Sequence, residues 1–406
     1  MFDVNKIRQD FPMIRNHPDL IYFDNGATTY KPDQVIGAIN DFYSHYTSNV
    51  ERGDYDTAVK ADRAYLNTRK IIGRLIHCEP KEVAFTANIT ASLNQIVFGL
   101  ERMILKEGDT VLLSHAEHAS NLLPWFRLKK EKGINIRYLP LDQQGNVKMD
   151  SLENMFDETV KVVSLAYQTN VLGSVQPIRE ITEIAHRHGA MIVVDAAQAI
   201  GHRPIDVKDL DVDFLCFSAH KMCGPDGVGV LYGKYEYLKD MEPIFLGGGM
   251  NARFDDDGSI ILKNAPERFE AGTPNIEGVI GLGAAAEYLM SIGLDEICSY
   301  EKELRAYFME KMLPLQNLEI YNPDNLSGPV TFNVKGVFAQ DAAGYLASKN
   351  IAVRSGNHCA KILHELIGTD QTIRASLYFY NTKEEVDRFT EEASKISLET
   401  AIGVFL

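Results

Sequence analysis

Between about residues 34 and 240 the chain alternates two hydrophobic rhythms. Segments such as QVIGAINDFYSHY, TAVKADRAYLNTRKIIGRLIH and SLNQIVFGLERMILK place apolar residues on one helical face, which predicts amphipathic helices. PIREITEIAHRHG reads the same way, with Pro177 near its start and Gly189 at its end. Between these fall short runs rich in Val, Ile, Leu and Phe: TVLLS, INIRYLP, KVVSLAY, AMIVVDAAQ, VDFLCFSAHK and VGVLYG. Such runs predict strands. Strands alternating with helices imply an α/β architecture, a mostly parallel sheet covered by helices.

Residues 241–275 break the rhythm. GGGM, FDDDG and EAGTPN predict long functional loops rather than a packed element. Gly247-Gly248-Gly249 lacks the Lys-Ser/Thr of a phosphate-binding P-loop. Beyond it, two helical stretches lead into short strands (GPVTFNV, IAVRSG, IRASLYF) alternating with the helices AQDAAGYLASKN and KEEVDRFTEEASKI. The expected organisation is an N-terminal arm (1–20) too short to fold alone, a large domain (21–275) and a smaller α+β domain (276–406).

Composition narrows the function. The 406 residues are 45% hydrophobic and 24% charged, ordinary for a soluble globular protein. A net charge of -15 argues against nucleic acid as the main partner. The five cysteines form no CxxC pair, so neither a disulfide framework nor a zinc site is expected, and a reducing cytoplasm is. The start, MFDVNKIRQDFP, lacks the apolar stretch of a targeting segment, and no apolar run is long enough to span a membrane. His186 and His188, in IAHRHG, read as solvated residues at a helix end.

Chemistry-bearing residues gather at the predicted carboxyl ends of strands, where open α/β sheets bind ligands. Lys221 closes VDFLCFSAHK, and a lysine amine can join an aldehyde cofactor. Ser218 and His220 flank it with groups suited to a phosphate. Taken alone, that tetrad reads as a surface lysine. Asp195 ends AMIVVD on a neighbouring strand, and the two together are what a pyridoxal phosphate (PLP) site needs: an amine for the aldehyde and an acid for the ring nitrogen. Gln198 follows Asp195 closely enough to reach a further polar group of the ring. His118, after TVLLS, sits at the same rim and could stack on a flat ring. Thr90 and Ser92 lie in the first turn of a helix, where backbone N–H groups bind phosphate, although Thr and Ser are also ordinary caps there. Asn170 follows KVVSLAY and completes the rim.

Cys359, in RSGNHCAKILHEL, falls in a loop or at a helix start, near His358, Arg354 and Lys361. Those cations would favour a thiolate. Cys78, Cys216, Cys223 and Cys298 fit the inert, apolar role of most free cysteines. Arg374, in TIRASLYFYN, reads equally as a carboxylate clamp or as a surface ion pair.

Together these motifs resemble a fold-type I, class V aminotransferase-family PLP enzyme, and more narrowly the group II (Suf-type) cysteine desulfurases. The resemblance runs from YFDNGATTYKP through AEH, NVLGSVQP, VVDAAQA, FSAHKMCGPDGVGVLYG, LGGGM, FEAGTPN and VRSGNHCA to RASLYFYNTKEEVD. It implies a mostly parallel seven-stranded sheet with a smaller α+β C-terminal domain. It also implies that Lys221 binds the cofactor aldehyde, Asp195 the ring nitrogen and Gln198 the ring hydroxyl, with His118 stacked on the ring. Thr90, Ser218 and His220 would hold the phosphate. Thr273 would reach the phosphate of a second subunit, making a homodimer with shared sites. Asn170 and Arg374 would bind the carboxylate of L-cysteine, Lys221 would move the Cα proton, and Cys359 would take the sulfur as a persulfide, releasing L-alanine. The implied partner is a sulfur acceptor protein of an iron–sulfur assembly system. The chain departs from the family where Ala119 replaces a second histidine, where NITA replaces GTTE, and where Gln340 replaces the histidine of zinc-scaffold-partnered members. Rival readings are selenocysteine lysis or another class V reaction on the same site, and a non-catalytic PLP-binding subunit. Transamination needs no thiol at Cys359, and a non-catalytic subunit would tend to have lost Lys221, Asp195 or Cys359.

Overall fold

The computed structural model describes residues 2–51 and 53–404. Its centre is a seven-stranded sheet in the order Val83–Thr86, Gly229–Gly233, Phe214–Ser218, Met191–Asp195, Val160–Ala166, Thr110–Leu113, Asn135–Tyr138. Only Gly229–Gly233 runs against its neighbours; the remaining pairings are parallel. The expected mostly parallel α/β sheet is therefore present. Side chains alternate between its two faces, and both faces are buried. Leu112, Val194 and Leu215 enter one core beneath helices Asp56–Ile76 and Ile276–Ile292. Val111, Val193 and Phe214 enter another beneath helices Ile89–Met103 and Ala119–Lys132. Two-sided burial is why these strands read as continuous apolar runs in the sequence.

The C-terminal part holds a four-stranded antiparallel sheet, ordered Leu318–Ile320, Val330–Val334, Thr372–Ala375, Arg354–Gly356. Its core is aromatic: Phe308 and Phe332 both meet the ring of Phe389 edge-on. Phe23 joins the same cluster, and Ile21–Tyr22 pairs in parallel with Ile351–Ala352. The N-terminal arm is tied down by Phe11, buried among Tyr288, Phe379 and Tyr380, and by Arg8, which donates to the Tyr380 carbonyl and pairs with Glu385.

The structure corrects several expectations. Within 241–275, strands Asn251–Phe254 and Ile260–Leu262 form an antiparallel hairpin where only loops were expected. IAVRSG is two strands, because Val353 lies between a parallel pairing with the N-terminal segment and an antiparallel one with Thr372–Ala375. IRASLYF leaves the sheet after Ala375, and its buried tail Leu377–Tyr380 packs between the two parts of the molecule. Helix Ile276–Ile292, assigned from sequence to the smaller domain, packs instead on helices Asp33–His45 and Asp56–Ile76 in the large core. His186 is not a solvated residue: it bonds both Asp211 and the buried Asp213, which raises its affinity for a proton. Among the described residues no single helix is long and apolar enough to cross a membrane.

Candidate active site

A cavity of about 580 Å³ opens beyond the carboxyl ends of the parallel strands, between the central sheet and the C-terminal part. Strand register sets its floor. Asp195, the last residue of its strand, lies between Ala166 and Cys216 on the flanking strands. Lys221 follows Ser218 by one tight turn, Ala219–Lys221.

Both floor residues are costly to bury. Asp195 accepts a hydrogen bond from the Ala197 amide at 2.9 Å, and burial raises its pKa. Lys221 has no ion pair among the described residues. Burial pushes its amine down to about 8, against the opposing pull of Asp195. An acid able to meet a cationic ring nitrogen and an amine able to lose its proton thus face one enclosed space. That pair fits a cofactor with an aldehyde and a basic ring nitrogen.

One wall is built from two helix starts. His118 caps helix Ala119–Lys132: its Nδ1 accepts from the Ser120 amide at 3.1 Å. This places the remaining ring hydrogen on Nε2. Burial, with Lys221 and Arg374 nearby, holds His118 down to about 4, so its ring is neutral near pH 7. Ser120 Oγ also bonds Thr90 Oγ1 at 2.7 Å, joining this helix to the start of Ile89–Met103. There Asn88 caps the helix, and the Ile89 amide donates to Ser218 Oγ at 2.8 Å, leaving the hydroxyl hydrogen available. His220 lines the same end and is also held down to about 4 by burial and Lys221. Gln198 lines the opposite side, its Nε2 bonded to the Gly26 carbonyl at 2.9 Å. Ser92 points away, bonded to Thr86 and the Val230 carbonyl.

The other wall comes from the C-terminal part. Cys359 is exposed and lines the cavity mouth. It and His358 adopt left-handed backbone conformations (φ 57° and 50°), uncommon for residues with a Cβ and often found where a loop serves a site. Two bonds hold that bend: the Ala119 amide donates to the Cys359 carbonyl at 2.8 Å, and Asn170 Nδ2 to the His358 carbonyl at 2.8 Å. Arg374 is 3% exposed, which removes the surface reading. Its Nη1 donates to the Asn170 carbonyl at 3.1 Å. Gly26 permits this packing, since a Cβ there would stand 3.0 Å from the Arg374 guanidinium.

The cationic surround expected around Cys359 is thinner than the sequence implied. Burial holds His358 down to about 3, and Arg354 is engaged by Asp24. Thr273 is not in the cavity. It lines a separate recess with Asn49, Glu267 and Glu270, where Asn49 Nδ2 stands 3.4 Å from its hydroxyl. The structure thus brings together Thr90, His118, Asn170, Asp195, Gln198, Ser218, His220, Lys221, Cys359 and Arg374, and leaves Thr273 outside. Asp24 and Ser120 were missed. Ser120 carried one signal, its place in the first helical turn after His118.

Residues 21–389 match the family model described as aminotransferase class-V. The chain is 41% identical over 397 residues to a probable cysteine desulfurase of Halalkalibacterium halodurans, covering 97% of this chain and 98% of that one. An apo structure of the cysteine desulfurase of Thermococcus onnurineus superposes with a TM-score of 0.92 at 38% identity, covering 98% of each chain. The Escherichia coli cysteine desulfurase CsdA, in an S-sulfonic acid form, gives 0.91 at 32% identity, covering 99% of each.

Proposed function

Since the chain belongs to the aminotransferase class-V family and is a cysteine desulfurase with PLP as its cofactor, we propose how its own residues carry out that reaction. The observation that carries the reading is the meeting, in one cavity, of a buried amine, a buried carboxylate and an exposed thiol.

Lys221 holds the cofactor aldehyde and Asp195 the ring nitrogen. Neutral His118 would cover the ring, Gln198 would meet the ring hydroxyl, and Thr90, Ser218 and His220 would hold the phosphate. Bound PLP supplies an electron-withdrawing ring that makes the substrate Cα acidic and its Cβ–S bond labile. Arg374, assisted by Asn170, takes the L-cysteine carboxylate in a charge-assisted bond. Lys221, free once substrate is bound, would remove and return a proton at Cα; a depressed pKa keeps it competent as a base near neutral pH. Cys359 Sγ, as thiolate, attacks the substrate sulfur. The Cβ–S bond breaks as the S–S bond forms, Cβ gains a proton, and L-cysteine plus the Cys359 thiol become L-alanine plus a Cys359 persulfide.

The downstream acceptor is an iron–sulfur assembly protein in the cytoplasm, in keeping with the Suf-type motif set, and the working unit is a homodimer in which Thr273 serves the partner's phosphate site. Support for the dimer comes from Thr273 lying outside its own cavity and from the exposed apolar residues Phe245 and Leu246, whose segment reaches the Gly272 amide through the Gly248 carbonyl.

Mixing the yellow holoprotein with L-cysteine should yield alanine and a persulfide mapped by mass spectrometry to Cys359. Cys359→Ser should keep the cofactor absorbance and lose the persulfide. Alanine and sulfide released by that variant at the wild-type rate would remove Cys359 from the mechanism.

A further inference from the structure

Arg354 and Arg374 stand directly opposite each other on neighbouring antiparallel strands. Like charges opposed in this way repel, and the cost rises with burial. One carboxylate lies between them. Asp24 Oδ1 and Oδ2 accept from Arg354 Nε at 3.1 and 3.2 Å, and Oδ2 from Nη2 at 2.7 Å. Toward Arg374 the same carboxylate is more distant, with Nη2 at 3.6 Å from Oδ1. Asp24 is therefore shared unequally: Arg354 is gripped by a fork, and Arg374 keeps donors and positive charge directed to the cavity.

The backbone explains how Asp24 reaches this place. Its segment pairs with Ile351–Ala352 on one side, and Asp24 bridges Ser376 on the other. It is clamped between the strand leading into Arg354 and the strand that has just carried Arg374. From Arg354 the chain turns through Gly356 (φ 120°) and the left-handed His358 to Cys359. Upstream, Arg354–Gly356 is held by its pairing with Thr372–Ala375 at the sheet edge, and the Arg354–Asp24 fork adds a side-chain tether on the outer side of that edge strand.

We propose that Asp24 is a positioning residue for sulfur transfer: it grips Arg354, and through it the segment presenting Cys359, while leaving Arg374 available to the substrate carboxylate. The inference rests on the reading of Cys359 and Arg374 given above. Its consequence is a separation of effects. Losing the fork should slow delivery of the thiol to the substrate sulfur and spare substrate capture.

The test uses holoprotein carrying Asp24→Asn, Arg354→Ala or both, beside wild type and Cys359→Ser. The expected result is single-turnover persulfide formation slowed about tenfold or more in each single variant, as small misplacements of reacting groups produce. The double variant should be no slower than the worse single one, because both remove one interaction. The L-cysteine concentration giving half of the cofactor spectral change should move by less than about threefold, and iodoacetamide should label Cys359 faster. Equal loss in half-saturation and rate, multiplying effects in the double variant, or wild-type rates in both single variants would overturn the proposal. Arg354→Ala, at a half-exposed side chain, keeps the test open if Asp24→Asn folds poorly. Absence of persulfide in wild type would instead overturn the underlying assignment of Cys359.

Discussion

The Lys221 amine is the residue whose environment makes the clearest demand. Only the uncharged amine joins an aldehyde, and burial lowers its pKa to about 8. The rate at which cofactor-stripped protein recombines with PLP should therefore climb with pH to about 8 and then level, followed by the return of absorbance. An ordinary lysine would go on gaining for about two further pH units, and such a profile would contradict the burial. Lys221→Ala should recover no such absorbance. Asp195 and Lys221 were placed together from the sequence because Asp195 ends an apolar strand and Lys221 follows the end of another by one turn, and a parallel sheet sends such ends to one edge. Cys359 was legible from its Gly-Asn-His approach. Asp24 was not: its partner Arg354 lies 330 positions away, and no local pattern encodes such a pairing. Nor was the neutrality of His358, which is a consequence of burial rather than of residue type.

At the scale of elements, the segment after the last central strand departs most from its sequence reading. Its hairpin strands, Asn251–Phe254 and Ile260–Leu262, are too short to display a period, and Asp and Gly around their turn read as loop. What fixes the downstream EAGTPN stretch is equally hidden. Glu270, its side chain 9% exposed, accepts from Arg69 Nη1 and Nη2 at 2.8 and 2.9 Å, from the Phe85 amide at 2.8 Å and from the Tyr65 hydroxyl at 3.0 Å. Removing one partner of a buried ion pair strands the other charge without water. Glu270→Ala should cost about 3–5 kcal/mol, read as a lower urea midpoint. The Arg69→Ala, Glu270→Ala double variant should lose less than the sum of the singles. Additive losses would mean that the pair is not coupled. The expected helices, by contrast, carried several turns of amphipathic signal each and appear near their expected positions; Ala119–Lys132, interrupted by Pro124, was not among them.

The molecule as a whole sets two hydrophobic cores around one cavity, and the sequence pattern marks their division poorly. Helix Ile276–Ile292 is apolar nearly all round, so its pattern does not say which core receives it; three-dimensional contact with Asp33–His45 and Asp56–Ile76 does. The surface carries its own demand. Phe245, Leu246, Phe254, Ile260 and Ile261 are each more than half exposed along the segment that leads toward Thr273. A minority of interface residues, well packed near its centre, cost about 1 kcal/mol or more each when removed. Phe254→Asp with Ile260→Asp should weaken self-association by about tenfold or more, seen by analytical ultracentrifugation, and the dissociated chains should release cofactor more readily. Unchanged sedimentation would remove this face from the dimer. One bond between the two units has a further consequence. The Ala119 amide grips the carbonyl of the residue that carries the thiol, so the peptide itself is moored to the far wall. Cargo held on that side chain moves only by rotation about its Cα–Cβ and Cβ–Sγ bonds, a short reach. Under the proposed sulfur transfer, the taker has to bring its own atom to the cavity rim, because the backbone there stays fixed.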